Sequence, residues 1–332
     1  MSSGSQFMTL DEIKKVKSIS KEINILKYDE KQKHMWDDFI SRSKNSTFLF
    51  NRDYMEYHSN RYKDFSLMFF YNNRLIAVMP ANRTNGTLYS HAGLTYGGVV
   101  SDKKMKMSLM MAIFYSLKDF LKEQRIKKLH YKAIPHIYHY LPSEEDLYAL
   151  YRFKAKLIRR DVASTVFMGE NVPFSRCIKS CIKNYCNNGL EIKRSYDFDK
   201  FMSIEEDVLQ QKYGVKPVHT VDEIKYLASK FPENIKLFAT FNNRMIAGTI
   251  IFETKNLAHA QYSASNEEGH KIGASHFLFG YLINDYYKNK RYFDFGISTE
   301  RNGRFLNHGL IDFKERFGAR AINYDTYEMY VT

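Results

Sequence analysis

One segment of the chain is written twice. Residues 65–81 read FSLMFFYNNRLIAVMPA, and residues 235–251 read IKLFATFNNRMIAGTII, an offset of 170 positions. Asn72, Asn73, Arg74, Ile76 and Ala77 recur as Asn242, Asn243, Arg244, Ile246 and Ala247. In each copy an apolar, β-prone run meets Asn-Asn and then turns apolar again. Asn tolerates the left-handed conformation that tight hairpin turns need, so both segments read as β-hairpins.

The elements after each hairpin repeat as well. After the first come a strand at Leu88–Val100, a helix at Lys104–Gln124, a strand at Lys128–Ile134, a helix at Ser143–Phe153 and a strand at Ala155–Phe167. After the second come a strand at Leu257–Ser265, a helix at Ala274–Asn289, a strand at Tyr292–Ser298, a helix at Arg304–Phe317 and a strand at Ala321–Tyr330. Helices precede each copy, at Glu30–Ser43 and Tyr54–Arg61, then at Asp197–Lys212 and Val221–Phe231. Turn residues at Gly169–Pro173 interrupt the pattern and mark a boundary, giving domains 1–170 and 171–332. The competing arrangement is one large mixed α/β sheet.

Composition agrees with two packed domains. The chain has 332 residues, 44% of them hydrophobic, and only 6 prolines. Its formal charge of +13 attracts anions: nucleic acid, a membrane surface or phosphorylated small molecules. The basic residues are spread out and form no tail, which argues against a nucleic-acid arm. Cys177, Cys181 and Cys186 are an odd, clustered set, unsuited to a disulfide framework and off the common zinc spacings, so no metal is expected. They read as small apolar residues of a basic helix. Residues 1–15 are polar and lack the apolar core of a secretory signal, which points to a cytoplasmic protein; residues 1–7 have the look of an expression scar. The apolar stretch Met105–Leu121 is broken by Lys106, Ser108, Ser116, Lys118 and Asp119, too polar to span a bilayer.

Three stretches carry a family resemblance: NEEGHKIGASHFLF (Asn266–Phe279), YFDFGIST (Tyr292–Thr299) and NHGLIDFKERFGAR (Asn307–Arg320). In their order and spacing they resemble the GNAT acyltransferase fold, and the duplication resembles the FemAB-like double-GNAT proteins. The resemblance covers residues from about Trp36 to Tyr330. It implies an α/β protein of two tandem GNAT-like domains, each a mixed, mostly antiparallel sheet flanked by helices.

The GNAT motif R/Q-x-x-G-x-G/A, whose backbone amides cradle the pyrophosphate of coenzyme A, aligns with His270, Lys271, Ile272, Gly273, Ala274 and Ser275. His270 replaces Arg or Gln, and Ser275 replaces the last small residue. The other reading is an ordinary helix start capped by Gly273. The first copy has SDKKMKMS (Ser101–Ser108) there, with no glycine and with Asp102. The acyl-CoA side is therefore assigned to the second domain and the acceptor side to the first. Two parallel strands of a GNAT sheet splay apart to admit the pantetheine arm, and here these are His259–Ser265 and Phe293–Ser298. Tyr262 and Ser263 are expected to face the acyl group. Asp294 alternates with Phe293 and Phe295, and serves as a base, a substrate hydrogen-bond acceptor or the partner of a buried Arg. Lys314 matches a FemAB-type lysine that stabilises charge near the reacting carbonyl, or is a solvated helix lysine.

In the first domain, SHAGLTYGG (Ser90–Gly98) is rich in glycine and offers His91, Thr95 and Tyr96 as polar handles. It reads as a cleft wall or as a bulged strand. Glu300, Asn302 and Asn307 are candidates for binding acceptor hydroxyls, or belong to a polar loop. The chain has no G-x-S-x-G elbow, so direct attack by an amine is expected, with Asp294, His91 and His259 as candidate bases.

The resemblance is nearest to enzymes that acylate the amino group of a nucleotide-linked, dTDP-type amino-dideoxy sugar for bacterial surface polysaccharide such as O-antigen. It implies acyl-CoA and a nucleotide-linked amino sugar as partners, no permanently bound cofactor and no nucleic-acid ligand. The competing readings are a FemAB-type aminoacyl-tRNA-dependent transferase acting on a peptidoglycan precursor, and a non-catalytic GNAT pair.

Overall fold

A computed structural model of the protein describes residues 10–170, 172–186 and 189–331. The chain divides into two compact units. One takes the chain up to Arg159 together with the residues from Tyr324 onward; the other is Arg160–Asn323.

In the first unit, α1 (Leu10–Ser20), β1 (Ile23–Lys27), α2 (Lys33–Arg42) and α3 (Arg52–Glu56) precede the hairpin of β2 (Leu67–Tyr71) and β3 (Arg74–Met79). Then come β4 (Asn82–Thr84), β5 (Thr87–Tyr89), β6 (Val100–Ser101), α4 (Met107–Glu123), β7 (Lys128–Lys132) and α5 (Glu145–Arg152). β1, β2, β3 and β6 form one antiparallel sheet. Asn72 and Asn73 both take positive φ, 48° and 59°, the two-residue turn whose twist matches the flanking strands. The apolar stretch at Met105–Leu121 is spent on burial: Met110, Ile113, Phe114 and Leu117 of α4 pack on Leu67, Phe69 and Ile76 of the hairpin. Among the described residues, no helix is long and apolar enough to cross a membrane.

The expected strand Leu88–Val100 breaks after Tyr89. β5 and β7 run parallel from Thr87↔Lys128 to Tyr89↔His130. Beyond that rung, residues 90–99 fold against the end of β7 as a compact plug. Ser90 N donates to His130 O (2.9 Å), and Gly97 N donates to Lys132 O (3.0 Å). Lys132 Nζ donates to the carbonyls of Ala92 (2.9 Å) and Leu94 (2.7 Å). The glycines serve close packing: a Cβ on Gly97 would lie 1.9 Å from Ser90 O. The chain's own backbone thus fills the ground where β5 would part from β7.

The second unit holds most of β8 (Lys156–Phe167), then α6 (Arg176–Cys186), β9 (Glu191–Ser195), α7 (Phe198–Tyr213), α8 (Val221–Lys230), β10 (Ile235–Asn242), β11 (Arg244–Glu253) and β12 (Leu257–Ser265). It continues through α9 (Glu267–Ile272), α10 (Ala274–Tyr281), a π-turn at Leu282–Tyr286, β13 (Tyr292–Ile297), the two-residue strands β14 (Thr299–Glu300) and β15 (Phe305–Leu306), α11 (His308–Glu315) and the start of β16 (Arg320–Tyr330). Its strand order is β8-β13-β12-β11-β10-β9. β12 and β13 are parallel, and the other pairs antiparallel. On one face Phe279 and Leu278 of α10 pack with Phe293, Phe295 and Phe317. On the other, Phe201 of α7 presses on Gly248, whose absent Cβ would sit 2.6 Å from that ring.

The closing strands are exchanged. β8, by sequence order the last strand of the first copy, pairs with β13, from Tyr292↔Phe167 to Ile297↔Ala163. β16, the last strand of the second copy, runs on to pair with β7, from Thr326↔Lys132 to Tyr330↔Lys128. The chain therefore divides after Arg159 instead of near residue 170. Strand pairing, not the turn chemistry of Gly169–Pro173, fixes that division. Of the three cysteines, Cys177 is exposed and Cys181 half-exposed, so α6 does not bury Cys177; the side chain of Cys186 lies outside the described residues.

Candidate functional site

The site begins with a ladder that stops. The parallel pairing of β12 and β13 runs Leu257↔Tyr292, Ala258↔Phe293, His259↔Asp294 and goes no further. β12 bends there: Ala260 pairs with Ile251 and Tyr262 with Ile250, which leaves Gln261 as an extra residue. A bulge of this kind bends a strand and re-aims its side chains. On β13, Gly296 takes φ +73°, and the His259 ring lies 3.1 Å from where its Cβ would be. A side chain there would be strained in its backbone and tight against the ring.

A cleft of about 430 Å³ opens along the parted strands, within the second unit. Ser263 and Ser265 of β12, Phe295 and Ile297 of β13, Phe279 of α10 and Phe313 of α11 form much of its wall. His270, Gly273 and Ser275 stand at the start of α10. Val208 and Lys212, one turn apart on α7, complete it.

The segment expected to cradle phosphate is partly helical. Asn266 caps α9, its side chain accepting from Gly269 N, and α9 ends at Gly273 in the left-handed conformation (φ +70°). Gly273 is at once the end of α9 and the N-cap of α10, and it offers α10 no side-chain cap. The amides of the first turn of α10, with the helix dipole behind them, form an anion-binding terminus. Ser275 and His270 face the cleft. Lys271 does not line it; its Nζ pairs with Glu267 (2.7 Å) at the surface. Ala274 is fully buried and contributes backbone only.

Asp294 is fully buried at the rung where the ladder stops. Its carboxylate accepts from Thr165 Oγ1 (2.8 Å), His259 Nδ1 (2.7 Å) and Gly296 N (3.1 Å). It anchors an imidazole. Lys314 is 5% exposed and is no solvated helix lysine. Its Nζ donates to the carbonyls of Gly296 (2.9 Å) and Ile297 (2.7 Å), and it lines the cleft. Burial pushes its ammonium down to about 8, against the pull of the Asp294 carboxylate. Asp294, His259 and Lys314, widely spaced in sequence, thus converge on the Gly296 turn.

Other candidates lie elsewhere. Tyr262 turns to the α7 face, where its hydroxyl is hydrogen-bonded to His219 Nδ1 (2.6 Å) and accepts from His219 N (3.1 Å). Glu205 of α7 is buried nearby, and desolvation pushes its carboxyl up to about 7. Asn307 caps α11 through Leu310 N (3.0 Å) and donates to Glu300 Oε1 (2.8 Å), so both serve the loop. Asn302 sits at φ 57° in the turn between β14 and β15. His91, Thr95 and Tyr96 belong to the plug of the first unit. Tyr96 is buried with its hydroxyl donating to Thr47 (3.2 Å), Thr95 is exposed, and His91 is buried.

No sequence signal singles out Thr165, the cleft-lining His276 of α10 or the α7 residues Val208 and Lys212. The i, i+4 spacing of the last two is visible, but nothing local says which helix face meets a cleft.

No family model matches the chain, and no curated protein matches it. Among solved structures, it is similar to FemX at TM-score 0.64 and 11% identity, over 91% of this chain and 96% of that one. L-PGS from Bacillus licheniformis matches at TM-score 0.58 and 11% identity, over 92% of each chain. A tandem GNAT protein from the clavulanic acid biosynthesis pathway matches at TM-score 0.51 and 8% identity, over 94% of this chain and 99% of that one. The chain has the tandem GNAT fold, the double arrangement of the FemAB-like proteins.

Proposed function

We propose that the second unit transfers an acyl group from a coenzyme A thioester to an amine. The observation that carries this reading is the parted β12–β13 pair, with a cleft along it, an uncapped helix terminus at one side and a buried lysine on its wall that shares the Gly296 turn with the His259–Asp294 pair. Pantetheine pairs with an open strand edge as a peptide does. Its pyrophosphate is held at the start of α10 by backbone amides of Ala274 and Ser275, with His270 beside them.

The amine nitrogen attacks the thioester carbon directly. The N–C bond forms, the C–S bond breaks, and the thiolate leaves. His259 takes the amine proton at Nε2, because Asp294 holds its Nδ1–H. Lys314 sets the Gly296 turn and places positive charge beside the developing oxyanion. With coenzyme A assigned to the second unit, the plugged first unit is assigned the acceptor side. A nucleotide-linked, dTDP-type amino sugar is our choice of acceptor. It is supported by the resemblance in the stretch from Phe293 to Arg320 and by the +13 charge, which favours two pyrophosphate-bearing substrates.

The likeness to FemX favours a second reading, an aminoacyl donor carried on tRNA. Isothermal titration separates the two. Binding of coenzyme A at about one site per chain, abolished in Gly273→Trp, supports the thioester donor. No binding at millimolar coenzyme A, with binding of aminoacyl-tRNA, moves the assignment to the second reading. Binding of coenzyme A without turnover of any amino-sugar nucleotide by any acyl-CoA would leave a non-catalytic binding protein.

A further inference from the structure

A second cavity, of about 510 Å³, lies wholly within the first unit. Its charge runs against that of the protein. Asp29, Glu30, Glu56 and Asp64 line it, against Lys31 and Arg52, in a chain of net charge +13. Arg52 does not serve as an anion site. It is 2% exposed, its Nε donates to Glu56 Oε1 (2.9 Å), its Nη1 donates to Ser66 Oγ (3.3 Å), and its remaining amino group pairs with Asp64. Its guanidinium also lies 3.7 Å from the centre of the Tyr28 ring. Both Asp64 oxygens are thus engaged, by Arg52 and by Ser66 N, and Glu56 Oε1 also accepts from Tyr28 Oη, so what a ligand meets beside Lys31 is Glu56 Oε2, the Asp29 and Glu30 carboxylates and the Tyr62 ring. That surface repels phosphate and attracts a cation.

His91 is the independent observation. It is 3% exposed, lines the cavity, and its Nδ1 is buried without a hydrogen-bond partner. Its backbone has φ 62°, a conformation that few non-glycine residues hold. The Tyr62 ring lies 5.6 Å away, centroid to centroid, and helps to fix the imidazole. Burial, with the charges of His58, Lys132 and Arg52, pushes the His91 imidazole down to about 3, so it is neutral and can exchange one hydrogen bond at that nitrogen. An unpaired buried nitrogen is costly, and strained residues of this kind gather at binding sites.

We propose that this pocket binds a small polyhydroxylated amine in its protonated form. The ammonium meets the Glu56 carboxylate, a hydroxyl meets His91 Nδ1, and the ring face lies on Tyr62. This site does not rest on the acyl-transfer reading.

Protonated glucosamine is the probe, titrated into the full chain near neutral pH and low salt, with glucose and glucose 1-phosphate as comparators. Glucosamine is expected to bind roughly tenfold more tightly than either. Ser59 stands exposed on the lining, and Ser59→Trp is expected to weaken glucosamine by about tenfold while leaving coenzyme A binding and the melting temperature unchanged. His91→Asn keeps a residue that accepts the left-handed backbone, and is expected to weaken glucosamine as well. No glucosamine binding, tighter binding of glucose 1-phosphate, or binding indifferent to Ser59→Trp overturns the proposal. The Ser59 variant decides the matter even if the His91 variant fails to fold.

Discussion

His259 Nδ1 lies 2.7 Å from Asp294 Oδ2, and the two residues face each other across the last rung of the parallel ladder. The pair marks the point at which the sheet opens. Asp294 also accepts from Thr165 and Gly296 N, so the carboxylate is held from three sides and fixes the imidazole tautomer. An orienting carboxylate behind a histidine needs this rigidity if the ring is to accept a proton at its far nitrogen.

Replacing Asp294 by Asn keeps the volume and removes the charge. We expect kcat to fall by about 10²–10⁴-fold at neutral pH, while the affinity for coenzyme A changes by less than about threefold. His259→Ala is expected to match it, and the double variant to be no slower than the worse single one within about threefold. Steady-state kinetics on the three variants checks this. Losses that multiply would show that the two residues act separately.

Lys314 gives a pH signature. Its ammonium is pushed from 10.5 down to about 8 by burial, so in the folded protein its charge is lost as pH rises through about 8. Activity should decline above that pH, and Lys314→Arg should keep its activity to higher pH. Stability moves the other way. Between about 8 and 10.5 the unfolded chain binds more protons at this residue than the folded one, so the lysine's contribution to stability rises with pH across that window. Melting curves across that range should show the rise in the parent and its loss in Lys314→Met.

Gly273 joins α9 to α10 at φ +70°. Asn accepts that conformation and β-branched residues do not. Gly273→Asn should bind coenzyme A within about fivefold of the parent, whereas Gly273→Val should lose about tenfold or more, with a lower melting temperature. Equal affinity in both variants would remove the start of α10 from the donor site.

Tyr131 holds the plug in the first unit. Its buried hydroxyl donates to Asp146 Oδ2 (2.5 Å) and accepts from Val99 N (2.7 Å). Tyr131→Phe removes the partner of Val99 N and of Asp146 Oδ2 in a buried setting, and should destabilise the protein by about 1–3 kcal/mol. Gly98→Ala should also destabilise it, because a Cβ there would lie 2.6 Å from the Tyr131 ring at φ +85°. Chemical denaturation measures both. Coenzyme A affinity should not change in either variant.

The duplication and most element types are legible in the amino-acid order alone, because they are written locally. Asn72-Asn73 supplies the left-handed turn, and the strand at Leu257–Ser265 has the bounds its residues suggest. Asp294 stands out as an oddity, a charged residue between Phe293 and Phe295 on a strand. Three things come from the folded chain instead. The exchange of β8 and β16 depends on which edges are open, and edge pairing is set by backbone hydrogen bonds that any residue makes. His91 and His259 are both candidate bases by residue type, and their neighbours separate them: one is buried in the first unit, the other rests on Asp294. The glycine-rich Ser90–Gly98 stretch is equally compatible, by composition, with a cleft wall or a bulged strand. Only Lys132 and Tyr131, reaching it from β7, make it a plug. Local composition records what backbone freedom a segment has, whereas the use of that freedom depends on side chains brought from far along the chain.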